Sequence, residues 1–182
     1  MSCLITSGVG VSCDALKRVG GVNKVAYVFN TDEFVSANFD GSNYIDDLNF
    51  TAYKGLYKFE GRKQSHSGGY TAQIQAPGGN KFYQHDVILK LFPDTPNEDS
   101  AIEDLLVGTV GIILETNNDE FILFGFKNGL DQTEGVQNSG QEAASDIADT
   151  LTFAGAEPEK PKRILVGGSA DATKNYLETL VV

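Results

Sequence analysis

Two runs of alternating residues around one glycine-rich turn constrain this chain more than any other feature. In Tyr70 to Ala76, Tyr70, Ala72 and Ile74 alternate with Thr71, Gln73 and Gln75. The turn Pro77-Gly78-Gly79-Asn80 leads into Lys81 to Phe92, where Tyr83, His85, Val87, Leu89 and Leu91 oppose Gln84, Asp86 and Lys90. A period of two sends successive side chains to opposite faces of a strand, and Gly-Gly-Asn suits a tight reversal. The pattern predicts a β-hairpin with one apolar and one polar face, as in an antiparallel sheet wet on one side.

The rest of the chain follows the same grammar. Residues 1–21 are Gly/Ser-rich, carry Cys3 and Cys13, and end in Gly20-Gly21, so they form an arm or irregular lead-in. Val22 to Phe29 is a first strand with Val25, Tyr27 and Phe29 on one side. Residues 30–50 are polar and turn-rich; a connection this long marks a functional or partner-contacting loop. Thr51 to Lys63 alternates cleanly, with Tyr53, Tyr57 and Phe59 against Lys54, Lys58, Glu60 and Arg62. After Pro93 and Pro96, Asn97 is the expected N-cap of one short helix, with Glu98 and Asp99 in its first turn, an Ile102/Leu105/Leu106 stripe, and Gly108 as its stop. Val110 to Glu115 and Glu120 to Phe126 flank Asn117-Asn118-Asp119, a second hairpin. Residues 131–148 show no stable period and are expected to be loop. Thr150 to Phe153 and Arg163 to Val166 are late strands, and Asp171 to Val182 is either a capped helix or an arm.

The fold class that follows is mostly β: an antiparallel β-barrel or sandwich with one short flanking helix. One domain spans 1–182, with an N-terminal arm at 1–21 and a C-terminal arm at 168–182. A chain of 182 residues is long enough to bury a core of its own. Seven Tyr and eleven Phe, with 20 Gly and no Trp, fit strands joined by turns better than a helical bundle. No run approaches the ~18 apolar residues of a membrane span. The N-terminus lacks a basic region followed by an apolar stretch, so synthesis and use without export are expected.

Charge narrows the function. The net charge is −11, and residues 91–159 hold fifteen Asp/Glu against Lys127 alone. Phosphate binding is driven by Lys and Arg displacing counterions, so a grip on nucleic acid is not expected. Two readings of the acidity stay open: a solvated face that aids solubility, or a polarity that lets identical subunits attract head to tail.

No catalytic, cofactor or metal set emerges. The glycine pairs at 20–21, 68–69, 78–79 and 167–168 are not followed by Gly-Lys-Ser/Thr and do not form GxGxxG, so they are turn glycines. His66, beside Ser65 and Ser67, has no oriented third group or GxSxG elbow. His85 sits among apolar neighbours as a satisfied sheet histidine. Asp46-Asp47 and Asp119-Glu120 lack the pattern of a calcium loop, and two cysteines with two distant histidines make a poor zinc set.

The order of these elements resembles the tail-tube proteins of long-tailed bacteriophages of the Bacteroidetes-phage type, over about 150 residues. The traits are the Cys3/Cys13 arm and Gly20-Gly21; Lys24 to Phe29; Tyr57 to Glu60; Phe82 to Leu89; the helix ending Asp104 to Gly108; Asn117 to Gly125; Asn128 to Leu130; an acidic loop; and Leu151 to Pro158. The resemblance implies a structural virion subunit that forms hexameric rings. Hairpins from each subunit would join into an inner β-barrel, and rings would stack into a conduit for DNA ejection. It also implies other tail proteins, such as a sheath or terminator, as partners, assembly in the host bacterial cytoplasm, and no membrane. On that footing Gln73, Gln75, Gln84 and Asp86 are lumen-facing candidates, and Asp40, Asn43, Tyr44, Asp46 and Asp47 are inter-ring candidates. The competing reading is a monomeric β-sandwich module for binding or virion decoration, whose long polar loops would carry the contacts.

Overall fold

A computed structural model describes residues 18–74, 79–139 and 147–182. The first strand, β1 (Val22–Asn30), is apolar on both faces and lies beside β7 (Val110–Thr116), which is also buried on both faces. Strands covered on both sides belong in the middle of a sheet. Around them a seven-stranded sheet runs in the order β2-β3-β11-β8-β7-β1-β4. Its other members are β2 (Phe34–Phe39), β3 (Ile45–Phe50), β4 (Tyr57–Glu60), β8 (Phe121–Phe124) and β11 (Lys162–Ile164). Pairing is antiparallel except between β11 and β3. A second, four-stranded antiparallel sheet has the order β5-β6-β10-β9, built from β5 (Ser67–Ile74), β6 (Lys81–Leu91), β10 (Ala148–Glu157) and β9 (Asp131–Asn138).

The two sheets share one core. Val87, Leu89 and Leu91 of β6 and Leu151 and Phe153 of β10 pack with Val28, Ile112, Leu114 and Phe124 of the large sheet. Helix α1 (Pro96–Leu105) closes one end of this layer through Ile102 and Leu105. The opposite face of the large sheet carries a second core of Val25, Tyr27, Phe29, Ile45 and Ile113, covered by helix α2 (Ala170–Thr179) through Leu177.

Several expectations need correction. Neither sheet closes into a barrel among the described residues, and two helices flank the sheets, not one. Residues 30–50 are not a long loop but the hairpin β2–β3, in which Asp40 Oδ1 accepts from the N–H groups of Ser42 (2.8 Å) and Tyr44 (2.9 Å). The Thr51–Lys63 strand shrinks to β4, because Tyr53 takes a left-handed φ of 64° and breaks the run. Helix α1 is capped by Thr95, not Asn97: Thr95 and Glu98 form a reciprocal capping box, with Pro96 in the first turn. Within 131–148, residues 131–138 are strand β9. The C-terminal segment, open between helix and arm, forms α2 and is tied down by side chains. Tyr27 and Lys58 both donate to Glu178 Oε1 (2.9 and 2.8 Å), Lys174 meets the buried Glu115 at 3.1 Å, and the Tyr176 hydroxyl donates to Asp47 (2.7 Å). Burial and the neighbouring Asp47 carboxylate push the Tyr176 hydroxyl up to about 12.

Both histidines of the chain bridge the sheets. His66 is buried, with Nε2 3.1 Å from Lys24 O on β1 while Nδ1 accepts from Lys90 N–H on β6 (3.3 Å). His85, on β6, places Nε2 3.0 Å from Glu159 O and accepts at Nδ1 from Gly125 N–H at the end of β8 (3.3 Å). Each ring is therefore a neutral tautomer that donates at Nε2, and protonating Nδ1 would set two donors face to face. Burial holds both pKa values below the ordinary 6.5, and near His85 it outweighs the pull of Glu157 and Asp86. The unfolded chain thus takes up these protons first. The histidines' contribution is complete above about pH 6.5 and is lost as pH falls below it. Denaturant titrations from pH 7.5 to 5 should show stability declining in that window, and the His66→Gln/His85→Gln double variant should flatten the decline. An unchanged slope in that variant would contradict the tautomer assignment.

Candidate assembly surface

The four-stranded sheet positions most of the candidate site. The register pairs Gln73 with Phe82, Thr71 with Gln84 and Gly69 with Asp86, and pairs Ala154 and Ala156 of β10 with Asp86 and Gln84. Directly paired residues share a face. Gln73, Gln84 and Asp86 therefore lie together on the face turned away from the large sheet, with Thr150, Thr152 and Glu134. Gln73 and Asp86 are exposed and Gln84 is half-buried. Gln75 lies outside the described residues.

The inner face is seated at one end and bare at the other. Gly68 of β5 rests against Leu114 and Phe124, where an added Cβ would come within 2.8 Å of both side chains. Beyond it the hairpin runs past the shared core, leaving Tyr70 45% and Ile74 72% exposed on what should be the dry face. Every residue of β5 is exposed, and so is all of β9 except the half-buried Gln132. These two strands are the ends of the sheet. Among the described residues, no strand lies along the outer side of either.

No family model, curated protein or solved structure matches the chain.

The turn that leads the chain toward β9 is held by a buried carboxylate that sequence reasoning missed. Glu157, at the end of β10, accepts from the backbone N–H groups of Lys127 (3.1 Å), Asn128 (2.8 Å) and Gly129 (3.1 Å). These residues form the turn that launches the chain from β8 toward β9, and Gly129 takes the left-handed φ of 80° the turn requires. The only sequence signal was an acid at the end of an apolar strand, directly before Pro158. Thr109 Oγ1 donates to Asp131 at 2.7 Å and fixes the start of β9 from the other side.

The inter-ring candidates are placed on the β2–β3 hairpin and have local partners. Asp40 and Asn43 build its turn, Asn43 with a left-handed φ of 64°. Tyr44 is half-buried, Asp47 anchors α2 through Tyr176, and Asp46 is exposed. The acids of residues 91–159 do not form one face. Glu115 and Glu157 are buried and engaged, Glu98 caps α1, and Asp131 and Glu134 lie on β9. Among the described residues no three His, Cys, Asp or Glu side chains gather as a metal set.

Glu157→Ala would strand three backbone N–H groups, that of Gly129 among them buried. It should cost at least about 2 kcal/mol of folding stability, read by denaturant unfolding. Glu157→Gln should cost less, because one amide oxygen still accepts.

Proposed function

We propose that this chain is a tail-tube subunit of a long-tailed bacteriophage, whose copies join through the edges of the four-stranded sheet into rings that stack as a conduit for DNA. The observation that carries this reading is the pair of sheet ends, β5 and β9, neither of which has a strand on its outer side among the described residues. A long exposed edge is a template for pairing, and soluble monomers blunt such edges with charge, proline or cover. The strand directions alternate through β5-β6-β10-β9, so β9 of one copy beside β5 of the next continues the antiparallel order without a break. Repeated around a ring, that contact would close the sheet and remove its edges. The bare Tyr70 and Ile74 would gain cover from the same neighbour.

Ring closure in this sense places the large sheet and both helices on the outside. The face bearing Gln73, Gln84 and Asp86 then lines the channel. Apart from Lys90, which pairs with Thr150 on the same face, these are uncharged amides, hydroxyls and acids, which bind phosphate weakly and suit a channel that DNA must leave quickly. Stacked rings would meet a sheath or a terminator at their ends, in a virion tail assembled in the bacterial cytoplasm.

Negative-stain imaging of the purified protein tests the reading. Rings or tubes are expected; isolated particles of about 5 nm, the size of one compact domain of this length, would favour the monomeric binding or decoration module. Ile74→Lys and Val136→Lys place charge on the two edges, at positions 72% and 50% exposed. Each should change folding stability by no more than about 0.5 kcal/mol and should block assembly.

A further inference from the structure

In a ring joined through β5 and β9, the strands of the small sheet run along the channel, and their ends form the two rims. Antiparallel order fixes which residues share a rim. The end of β6 and the start of β10 lie together, since Leu91 pairs with Asp149; the start of β6 lies with the end of β10, since Tyr83 pairs with Glu157. Across the eleven residues of β6 the two rims are about 35 Å apart.

The first rim holds an acid without a counterion. Asp149 stands on the face of β10 that also bears Leu151 and Phe153, and it is only 9% exposed. Among the described residues its carboxylate has no hydrogen-bond donor and no cation beside it. Burial raises its pKa, and so does the carboxylate of Asp99, in the first turn of α1. Arg62 and Lys90, the cations at this rim, lie over the Phe92 ring. A buried carboxylate facing a second carboxylate is costly unless a cation joins them.

The second rim holds cations without an acid. Lys160 follows β10 and is exposed; its Nζ lies 5.6 Å from the centre of the Tyr70 ring and makes no ion pair among the described residues. Lys81, at the start of β6, is exposed and also makes none there. The acids of this rim are engaged within the subunit: Glu159 pairs with Lys162, and Glu157 holds the turn before β9. Tyr70 belongs to the face turned toward the large sheet, as Asp149 does. Lys160 and Asp149 therefore lie in one layer of the subunit, at its opposite ends.

We infer that Lys160 of one copy enters between Asp149 and Asp99 of a copy in the next ring, an inference that rests on the assembly reading above. A donor at one end and an acceptor at the other make a contact that repeats head to tail without closing, which builds a stack.

Negative-stain imaging of the full chain tests this, because it reads rings and stacks separately. The wild type should give tubes. Lys160→Glu and Asp99→Lys, both at exposed positions, should each give single rings, the first setting acid against acid and the second lysine against lysine. The double variant should restore tubes. Asp149→Asn should shorten the tubes while the Tm of dispersed subunits stays the same or rises, since the charge it removes has no partner within the subunit. Tubes in Lys160→Glu, a double variant that restores nothing, or a lower Tm in Asp149→Asn would overturn the bridge. Wild-type rings that never stack overturn it as well and leave the joining of copies into rings intact. Wild-type monomers overturn both.

Discussion

The contact on which the rest depends is the packing of β6 and β10 against β1, β7 and β8. Val87, Leu89, Leu91, Leu151 and Phe153 share one buried cluster with Val28, Ile112, Leu114 and Phe124. Only the two central strands of the small sheet are held this way. Strands β5 and β9 are carried by hydrogen bonds to β6 and β10, with little burial of their own. Hydrophobic burial is the main stabilising term in a fold, so this small sheet is firmly anchored in the middle and bare at its sides. Such a sheet carries its two end strands on a fixed centre.

Polar groups fix what the core leaves loose. Glu157 holds the turn before β9, His66 and His85 cross-link the sheets, and Glu115, Glu178 and Asp47 pin α2 over the second core. Lys58 hydrogen-bonds the Glu178 carboxylate and holds its pKa below the usual range. Part of the acidity that stands out in the sequence, Glu115 and Glu157, is therefore internal architecture. The acids left at the small sheet, Asp86, Asp131 and Glu134, are exposed and sit near the proposed channel and edge.

How much of this was legible in the sequence follows from burial. The β5–β6 hairpin alternates because β6 has one wet and one dry face, and it was readable. Strand β1 was readable from Val25, Tyr27 and Phe29, though its second apolar face, through Ala26 and Val28, needed the structure. Strand β9 escaped notice because both of its faces are wet in a single subunit, so nothing forces Asp131 to Asn138 into a period of two. Hairpin β2–β3 was hidden because Val35 is exposed and register shifts interrupt its pairing. Tyr53 completed an apparent pattern while sitting in a left-handed turn. The channel candidates Gln73, Gln84 and Asp86 shared a face as alternation requires, whereas Glu157 was invisible because its partners are backbone groups nearly thirty residues away.

Amide hydrogen exchange along β5 and β9, compared between dispersed subunits and assembled material, probes the joining of copies most directly. Edge-to-edge pairing predicts that exchange at both strands slows on assembly, while β6 and β10, already paired on both sides, change little. Equal exchange at β5 and β9 in the two samples would contradict it, because the copies would then be meeting through some other surface.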